Sequence, residues 1–428
     1  MSELKTFCYE ASSRIMMGLA QELNVMPGQH YQPAGHNASR VLSLRLVGLN
    51  PHYLKSVKSL RSELTMWAGL PDKKPVRIGQ DGQSITVEIP KPGRFWQQVT
   101  LGRLPLRRGL VATLGLGLRD EPRRLNFAEP STAHTFIVGQ TRSGKTNAQR
   151  LIGWNLAHNT TPDEARLIIF DVAKKGYRWN DFGNLACLAH PLIIDIAEAD
   201  RVLCWLSQEI DRRAGRQVTG PRLFILVDEL KALADESKVA TTYLSRIASV
   251  GGEFGLHLVL STQYPQIQML GSAELKRNIT TRLCGKVDDA GAAANALGLA
   301  DTGAEALQGY GDFLLKDFNG LCRLTVAHLQ PKDIVPLARA GETATLDLPD
   351  ADSINGGPRF MTEPDPLEPD HVALALFEPM AIGKLAHALG IGKTKATRVK
   401  RFAERIRAWA VEHGHSNYCF VSNDFIEL

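Results

Sequence analysis

The octapeptide Gly139-Gln140-Thr141-Arg142-Ser143-Gly144-Lys145-Thr146 sets two glycines, a lysine and a hydroxyl at the spacing G-x-x-x-x-G-K-[ST]. Glycine lets successive backbone N–H groups turn toward one anion, and a helix starting at the lysine adds partial positive charge. At this spacing Lys145 reaches the β- and γ-phosphates of a nucleoside triphosphate, and the Thr146 hydroxyl binds Mg²⁺. Residues 139–146 together with Asn147 are therefore the candidate nucleotide contacts. The apolar run before the loop, "HTFIV", and the helix-forming run after it supply the expected strand and helix.

A second element supports the first. "RLFILVDEL" is an apolar strand ending in Asp228-Glu229. Asp228 is placed to hold Mg²⁺ through water, and Glu229 to polarise the attacking water as general base. A base at that place suits a continuously cycling ATPase rather than a switch GTPase, so ATP and Mg²⁺ are the expected ligands. A third strand, "GLHLVLSTQ", ends in Thr262 and Gln263, where a polar group can sense the γ-phosphate.

These loops need a scaffold. Between residues 130 and 330 the runs "TFIVG", "RLIIFDV", "RLFILVDE", "LHLVLST" and "TRLCGKV" alternate with helical stretches, the rhythm of a mostly parallel sheet with crossover helices. Upstream, "SRVLSLRLVGL", "ITVEI" and "FWQQVTL" read as strands and "YLKSVKSLRSELTMWAGL" as a helix. The fold class is α/β, and the expected domains are an N-terminal α+β domain at 1–115, a P-loop ATPase domain at 116–340, an acidic linker at 341–372 and a basic domain at 373–428. Within the linker, residues 341–370 hold eight acidic side chains and one base, Arg359. The basic domain reads as helix-turn-helix or winged-helix-like, with Lys393, Lys395, Arg398, Lys400 and Arg401 on its second helix.

Composition sets bounds. The 428 residues suffice for two or three domains, and 44% hydrophobic and 22% charged residues describe a globular chain. A net charge of +5 permits an acidic polymer as partner without requiring one. Six scattered cysteines without a C-x-x-C pair argue against a zinc site or a disulfide framework and for a reducing cytoplasm. No membrane segment is expected, because no run approaches ~18 apolar residues.

The order of the motifs resembles the FtsK/SpoIIIE family of DNA translocases, within the wider FtsK–HerA group. The resemblance rests on the Walker pair and on "VDELKALADE", "LSRIASVGGEFGLHLVLSTQYP", "LKRNITTRLCGKV" and "LADTGAEALQGYGDFLL", and covers about residues 35–330. It implies a RecA-like core, assembly as a homo-oligomeric ring, expected to be a hexamer, around double-stranded DNA, and an arginine supplied in trans. Where the family often carries arginine before the sensor strand, this chain has Gly252, so Arg282, Arg246 and Arg277 become the candidates; Tyr264 replaces a DNA-contacting arginine. Lys276 and Arg277 are the expected pore contacts. Lys174 and Lys175, in "FDVAKKGYRW", are candidates for DNA phosphate or for a loop beside the nucleotide. Arg40, Arg45, Lys55, Lys58 and Arg61 read as exposed charges or as a ring's entry face. A conjugation-type or HerA-like pump, acting with a nuclease or on single-stranded DNA, and a non-translocating DNA-binding regulator are the alternatives.

Overall fold

The computed structural model describes residues 2–71, 74–216, 220–263, 273–337 and 345–349, together with Ala396, Val399 and Lys400. Most of the chain belongs to one unit, residues 1–358; the expected basic domain falls in a second, 359–428. Lys393, Lys395, Arg398 and Arg401 lie outside the described residues, while Lys400 is helical and half-buried.

The first unit begins with helix α1 (Glu3–Leu23), capped by the Ser2 hydroxyl and closed by Asn24 in the left-handed conformation. It packs on a four-stranded antiparallel sheet of order β1-β2-β4-β3: β1 (Gln32–Asn37), β2 (Val41–Val47), β3 (Arg77–Asp81) and β4 (Ser84–Pro90). Ala11, Ile15 and Leu19 of α1 join Leu44, Leu46, Val87 and Ile89 in one apolar cluster. The single helix expected after β2 is two, α2 (Leu54–Ser59) and α3 (Arg61–Trp67), because Leu60 leaves helical geometry at φ −87°, ψ 18°. The strand expected at "FWQQVTL" does not form. Phe95 closes a short 3₁₀ turn, the Trp96 indole donates to Lys91 O, and Gln97 N to Ser39 O. Those bonds tie the segment to the β1–β2 bend and to the end of β4, and its pairing is an isolated parallel bridge from Thr100 to His328.

The core is a nine-stranded sheet of order β6-β5-β13-β12-β11-β7-β10-β9-β8. Its strands are β5 (Val111–Gly117), β6 (Pro122–Asn126), β7 (Thr135–Val138), β8 (Ala165–Phe170), β9 (Arg222–Val227), β10 (Leu256–Thr262), β11 (Thr281–Cys284), β12 (Asp312–Asp317) and β13 (Gly320–Val326). The five expected strands are β7 to β11, and they run parallel to one another. β12, β13, β5 and β6 extend the sheet antiparallel. The boundary expected at residue 115 therefore falls inside β5. β7 and β9 are buried almost throughout, as a parallel strand covered on both faces must be. Helices α4 (Lys145–Asn159), α5 (Ile196–Arg216), α6 (Leu230–Glu236), α7 (Ala240–Val250), α8 (Ala273–Asn278), α9 (Ala290–Leu297) and α10 (Pro331–Ile334) complete the described elements. No helix among the described residues is long and apolar enough to cross a membrane.

Buried charges join the two sheets. Arg77 faces Glu88 across the β3–β4 ladder and donates to its Oε1 at 2.5 Å. Arg323 of β13 donates to Glu88 Oε2 at 2.6 Å and to both oxygens of Asp312, at 2.8 and 2.6 Å. Burial alone would raise the Glu88 pKa, but Arg77 and Arg323 outweigh it and the net shift is downward from 4.5. A carboxylate whose folded value lies below its unfolded one contributes stability that is complete above the unfolded value and lost as pH falls through the folded one. Glu88→Gln leaves two buried guanidinium groups short of a counter-charge. It is expected to cost about 3–5 kcal/mol in urea unfolding and to flatten the loss of stability below pH 4.5.

Candidate nucleotide site

The sheet delivers the site because β7, β8, β9 and β10 are parallel and end along one edge. The loop after β7 curls into α4, and Gly144 makes the turn at φ 105°; a Cβ there would stand 2.9 Å from Gly311 N. The loop is held from outside by backbone: Tyr310 N donates to Arg142 O at 2.9 Å and Gly311 N to Ser143 O at 2.8 Å. Arg142 and Tyr310 both adopt positive φ, 67° and 52°. This contact gives physical content to the "GYGD" stretch, whose glycines let two backbones meet. Gln149 of α4 anchors the helix below by donating to Val227 O and Val259 O at 3.0 and 2.7 Å.

The acids expected at the end of β9 are there. Asp228 is 2% exposed. Its Oδ1 accepts from the Ser261 hydroxyl at 3.0 Å and lies 3.5 Å from Thr146 Oγ1; its Oδ2 accepts from Lys174 Nζ at 2.8 Å. Glu229 sits at φ 60°, and its Oε1 accepts from Thr262 Oγ1 at 3.0 Å and Gln263 N at 3.2 Å. The Gln263 side chain accepts in turn from Thr141 Oγ1 at 2.9 Å, so the loop after β7, the acid and the end of β10 form one hydrogen-bonded circuit. Lys145 Nζ donates to Gly139 O at 2.5 Å and Gln140 O at 3.3 Å. Desolvation, reinforced by Lys174 and Arg178 against the pull of Glu229 and Asp228, lowers the Lys145 pKa to about 8.

These groups line a cleft of about 610 Å³. Residues 141, 142 and 144–147, Asp228, Glu229 and Gln263 reach it, as do Lys174 and Arg178 from the loop after β8. Of the two roles expected for Lys174, its place in this cleft favours the loop beside the nucleotide. Lys175 turns away, its Nζ donating to Ile194 O at 3.0 Å. Asn147 serves the scaffold as well, its amide bonding Ala327 O and Leu329 N.

Arg282 does not match the finger expected of it. It is 7% exposed in β11, and its Nε donates to Ile279 O at 3.1 Å, so that edge of its guanidinium is engaged within the subunit. Arg246 is engaged with Ser207 and Asp211. Arg277 is exposed on α8; the Lys276 side chain and Tyr264 lie outside the described residues. Of the N-terminal cations, Arg61 pairs with Glu305, Lys58 bonds Asp301 O, and Arg40 reaches the nucleotide cleft.

The sequence reading missed three groups. Asp171 follows β8 fully buried beside Asp228; its pKa is raised by burial and then by the Asp228 charge, and its Oδ2 has no hydrogen-bond partner among the described residues. The acid closing "RLIIFDV" was the available signal. Ser261 supports Asp228, but a serine inside an apolar strand carries no signal of its own. Tyr310 acts through its backbone, which sequence does not display.

Fold and site together define a RecA-like P-loop fold with a candidate nucleotide cleft. Residues 110–220 match the FtsK/SpoIIIE family model, within the stretch whose motifs carry the resemblance. A DNA translocase FtsK of Caldanaerobacter subterraneus is 26% identical over 405 residues, covering 83% of this chain and 56% of the relative. The DNA translocase SftA of Bacillus subtilis is 28% identical over 230 residues, covering 48% of this chain and 23% of its own. The chain thus spans about half or less of the length of these curated relatives. Among solved structures, the pCW3 conjugation coupling protein TcpA with ATPγS superposes with TM-score 0.50 at 17% identity, over 76% of this chain and 99% of that one. EssC ATPases 2 and 3 of Geobacillus thermodenitrificans give 0.50 at 14% identity, over 58% and 51%.

Gly144→Ala places a Cβ against Gly311 N in a left-handed turn. It is expected to cost about 1–3 kcal/mol, read as a lower urea midpoint, because neither backbone can retreat without breaking the Tyr310 and Gly311 bonds.

Proposed function

We propose that this chain is the motor of an ATP-driven double-stranded DNA translocase that works as a homo-oligomeric ring, a hexamer. The observation that carries the reading is the circuit Thr141–Gln263–Glu229–Thr262. It ties the phosphate loop to a general base and to the end of β10, whose continuation is the segment expected to meet DNA. The DNA translocases among its relatives support the choice of substrate.

In the proposed cycle the loop N–H groups and Lys145 hold the β- and γ-phosphates. Thr146 Oγ1 and Asp228 Oδ1 offer converging hard oxygens, with Ser261 orienting the carboxylate. A single carboxylate plus a hydroxyl fits Mg²⁺, which takes its other ligands from phosphate and water and, when bound, would neutralise charge on the phosphates. Glu229, held by Thr262 and Gln263 N, accepts a proton from the attacking water. Lys174 and Arg178 add positive charge from within the subunit, and Arg277 is the exposed candidate to act across a ring interface. The cationic C-terminal set, Lys393 to Arg401, is assigned to DNA loading through phosphate contacts.

Lys145→Ala is expected to abolish nucleotide binding and turnover. Glu229→Gln should keep binding while cutting turnover by about 10²- to 10⁴-fold, measured by phosphate release. Long duplex should stimulate the wild-type ATPase, with stimulation falling steeply as salt rises. Directional displacement of a triplex-forming strand from long duplexes separates a duplex motor from a pump for single strands or a static regulator; its absence under conditions of duplex-stimulated hydrolysis would sink the translocase reading.

A further inference from the structure

The nucleotide cleft has a wall that does not come from the P-loop core. Arg40, in the bend between β1 and β2, lines it together with Gln98 and Val99. Three features fix where that guanidinium lies. Its Nη2 donates to Tyr310 O at 2.6 Å. Its Cζ stands 4.4 Å from the centroid of the Trp96 ring, a cation–π contact. The Trp96 indole is itself pinned by its bond to Lys91 O, and Trp96 and Tyr310 approach at 6.2 Å between centroids. Arg40 Nε has no hydrogen-bond partner among the described residues. A buried, unfilled guanidinium donor costs free energy unless an acceptor meets it.

We propose that Arg40 is a nucleotide-binding residue contributed by the N-terminal sheet, presenting its guanidinium to the polyphosphate of the bound nucleoside triphosphate. The inference rests on the P-loop ATPase reading of the same cleft. Arginine is suited to the role because its planar fork binds phosphate oxygen while one edge stays bonded elsewhere, here to Tyr310 O. That carbonyl belongs to the residue whose N–H holds Arg142 O, so one peptide separates the cation from the phosphate loop. An N-terminal sheet held this way senses whether the cleft is filled. Trp96, stacked on Arg40, reports the event.

The test is equilibrium titration of the full chain with the fluorescent analogue mant-ATP and Mg²⁺ at several salt concentrations, for wild type, Arg40→Ala and Arg40→Lys. Loss of a charge-assisted phosphate bond is expected to weaken binding about tenfold or more in Arg40→Ala and to make the dependence of affinity on salt shallower. Arg40→Lys keeps the charge and should restore the salt dependence while recovering only part of the affinity. Unchanged affinity in Arg40→Ala overturns the proposal. So does weaker binding with unchanged salt dependence and a lowered melting temperature, which would make Arg40 only a clamp on Tyr310. If wild type binds mant-ATP but does not turn over ATP, the hydrolysis reading falls while the Arg40 effect still decides this one; if wild type does not bind, both fall.

Discussion

The contact on which the rest of the molecule depends is backbone against backbone: the phosphate loop lying on the Gly309-Tyr310-Gly311 segment through Tyr310 N–Arg142 O and Gly311 N–Ser143 O. Side chains cannot be interposed at that distance, so both partners must present glycine or a left-handed residue at the approach. The contact also fixes what comes next in the chain. Asp312 follows at once, starts β12 and meets Arg323, which holds Glu88 in the N-terminal sheet. Phosphate loop, core sheet and N-terminal sheet are thus linked through consecutive residues, and a displacement of the loop cannot remain local to it.

The buried charges are consistent with that linkage being specific rather than merely stabilising. Replacing a buried ion pair with apolar groups is often neutral or favourable for stability, so a four-membered chain of Arg77, Glu88, Arg323 and Asp312 is a poor way to gain stability alone. Its geometry does something an apolar patch cannot. Each guanidinium must meet a defined carboxylate oxygen, which allows one register between the two sheets. Around the cleft the same logic is run with looser partners. Lys174 on Asp228 and Arg178 near Thr146 are cations resting on groups that a nucleotide and its metal would claim. Burial first, and then the positive charge there, lower the Lys145 pKa, whereas a bound triphosphate would favour its charged form.

How much of this was legible in the sequence depended on whether the signal was local. The five parallel strands announced themselves because strands buried on both faces are continuous apolar runs, and Asp228-Glu229 stood out as charges closing such a run. Glycine and lysine spacing exposed the phosphate loop because that chemistry is done by contiguous residues. The long helix after β2 failed where Leu60 breaks it, a break that helical spacing on either side conceals. "FWQQVTL" looked like a strand since aromatic and β-branched residues favour one, but tertiary bonds to Lys91 and Ser39 overrode the propensity. Arg282 was one of three arginines offered for the trans role where this chain departs from the family pattern, and only the fold shows that β11 runs through the interior, where Arg282 is buried. Arg40 looked like any exposed cation on a small domain, and what sets it apart is a stack on Trp96 and a bond to a carbonyl remote in sequence.

A general base is useful to a motor only if its geometry depends on what the phosphate loop holds. Glu229 satisfies this through its own bonds. Its Oε1 takes donors from Thr262 and from the backbone of Gln263, so the end of β10 and the carboxylate move together. Gln263 in turn accepts from Thr141, inside the loop that contacts phosphate. Were the acid fixed instead by a side chain from a distant helix, hydrolysis would run without altering the chain beyond β10. On the proposed reading a change at the γ-phosphate alters the hydrogen bonds of Thr141, hence of Gln263, hence of Glu229 and the end of β10. The energy of hydrolysis, on that reading, reaches the end of β10 through three hydrogen bonds rather than through the hydrophobic core, which is too closely packed to take up intermediate positions.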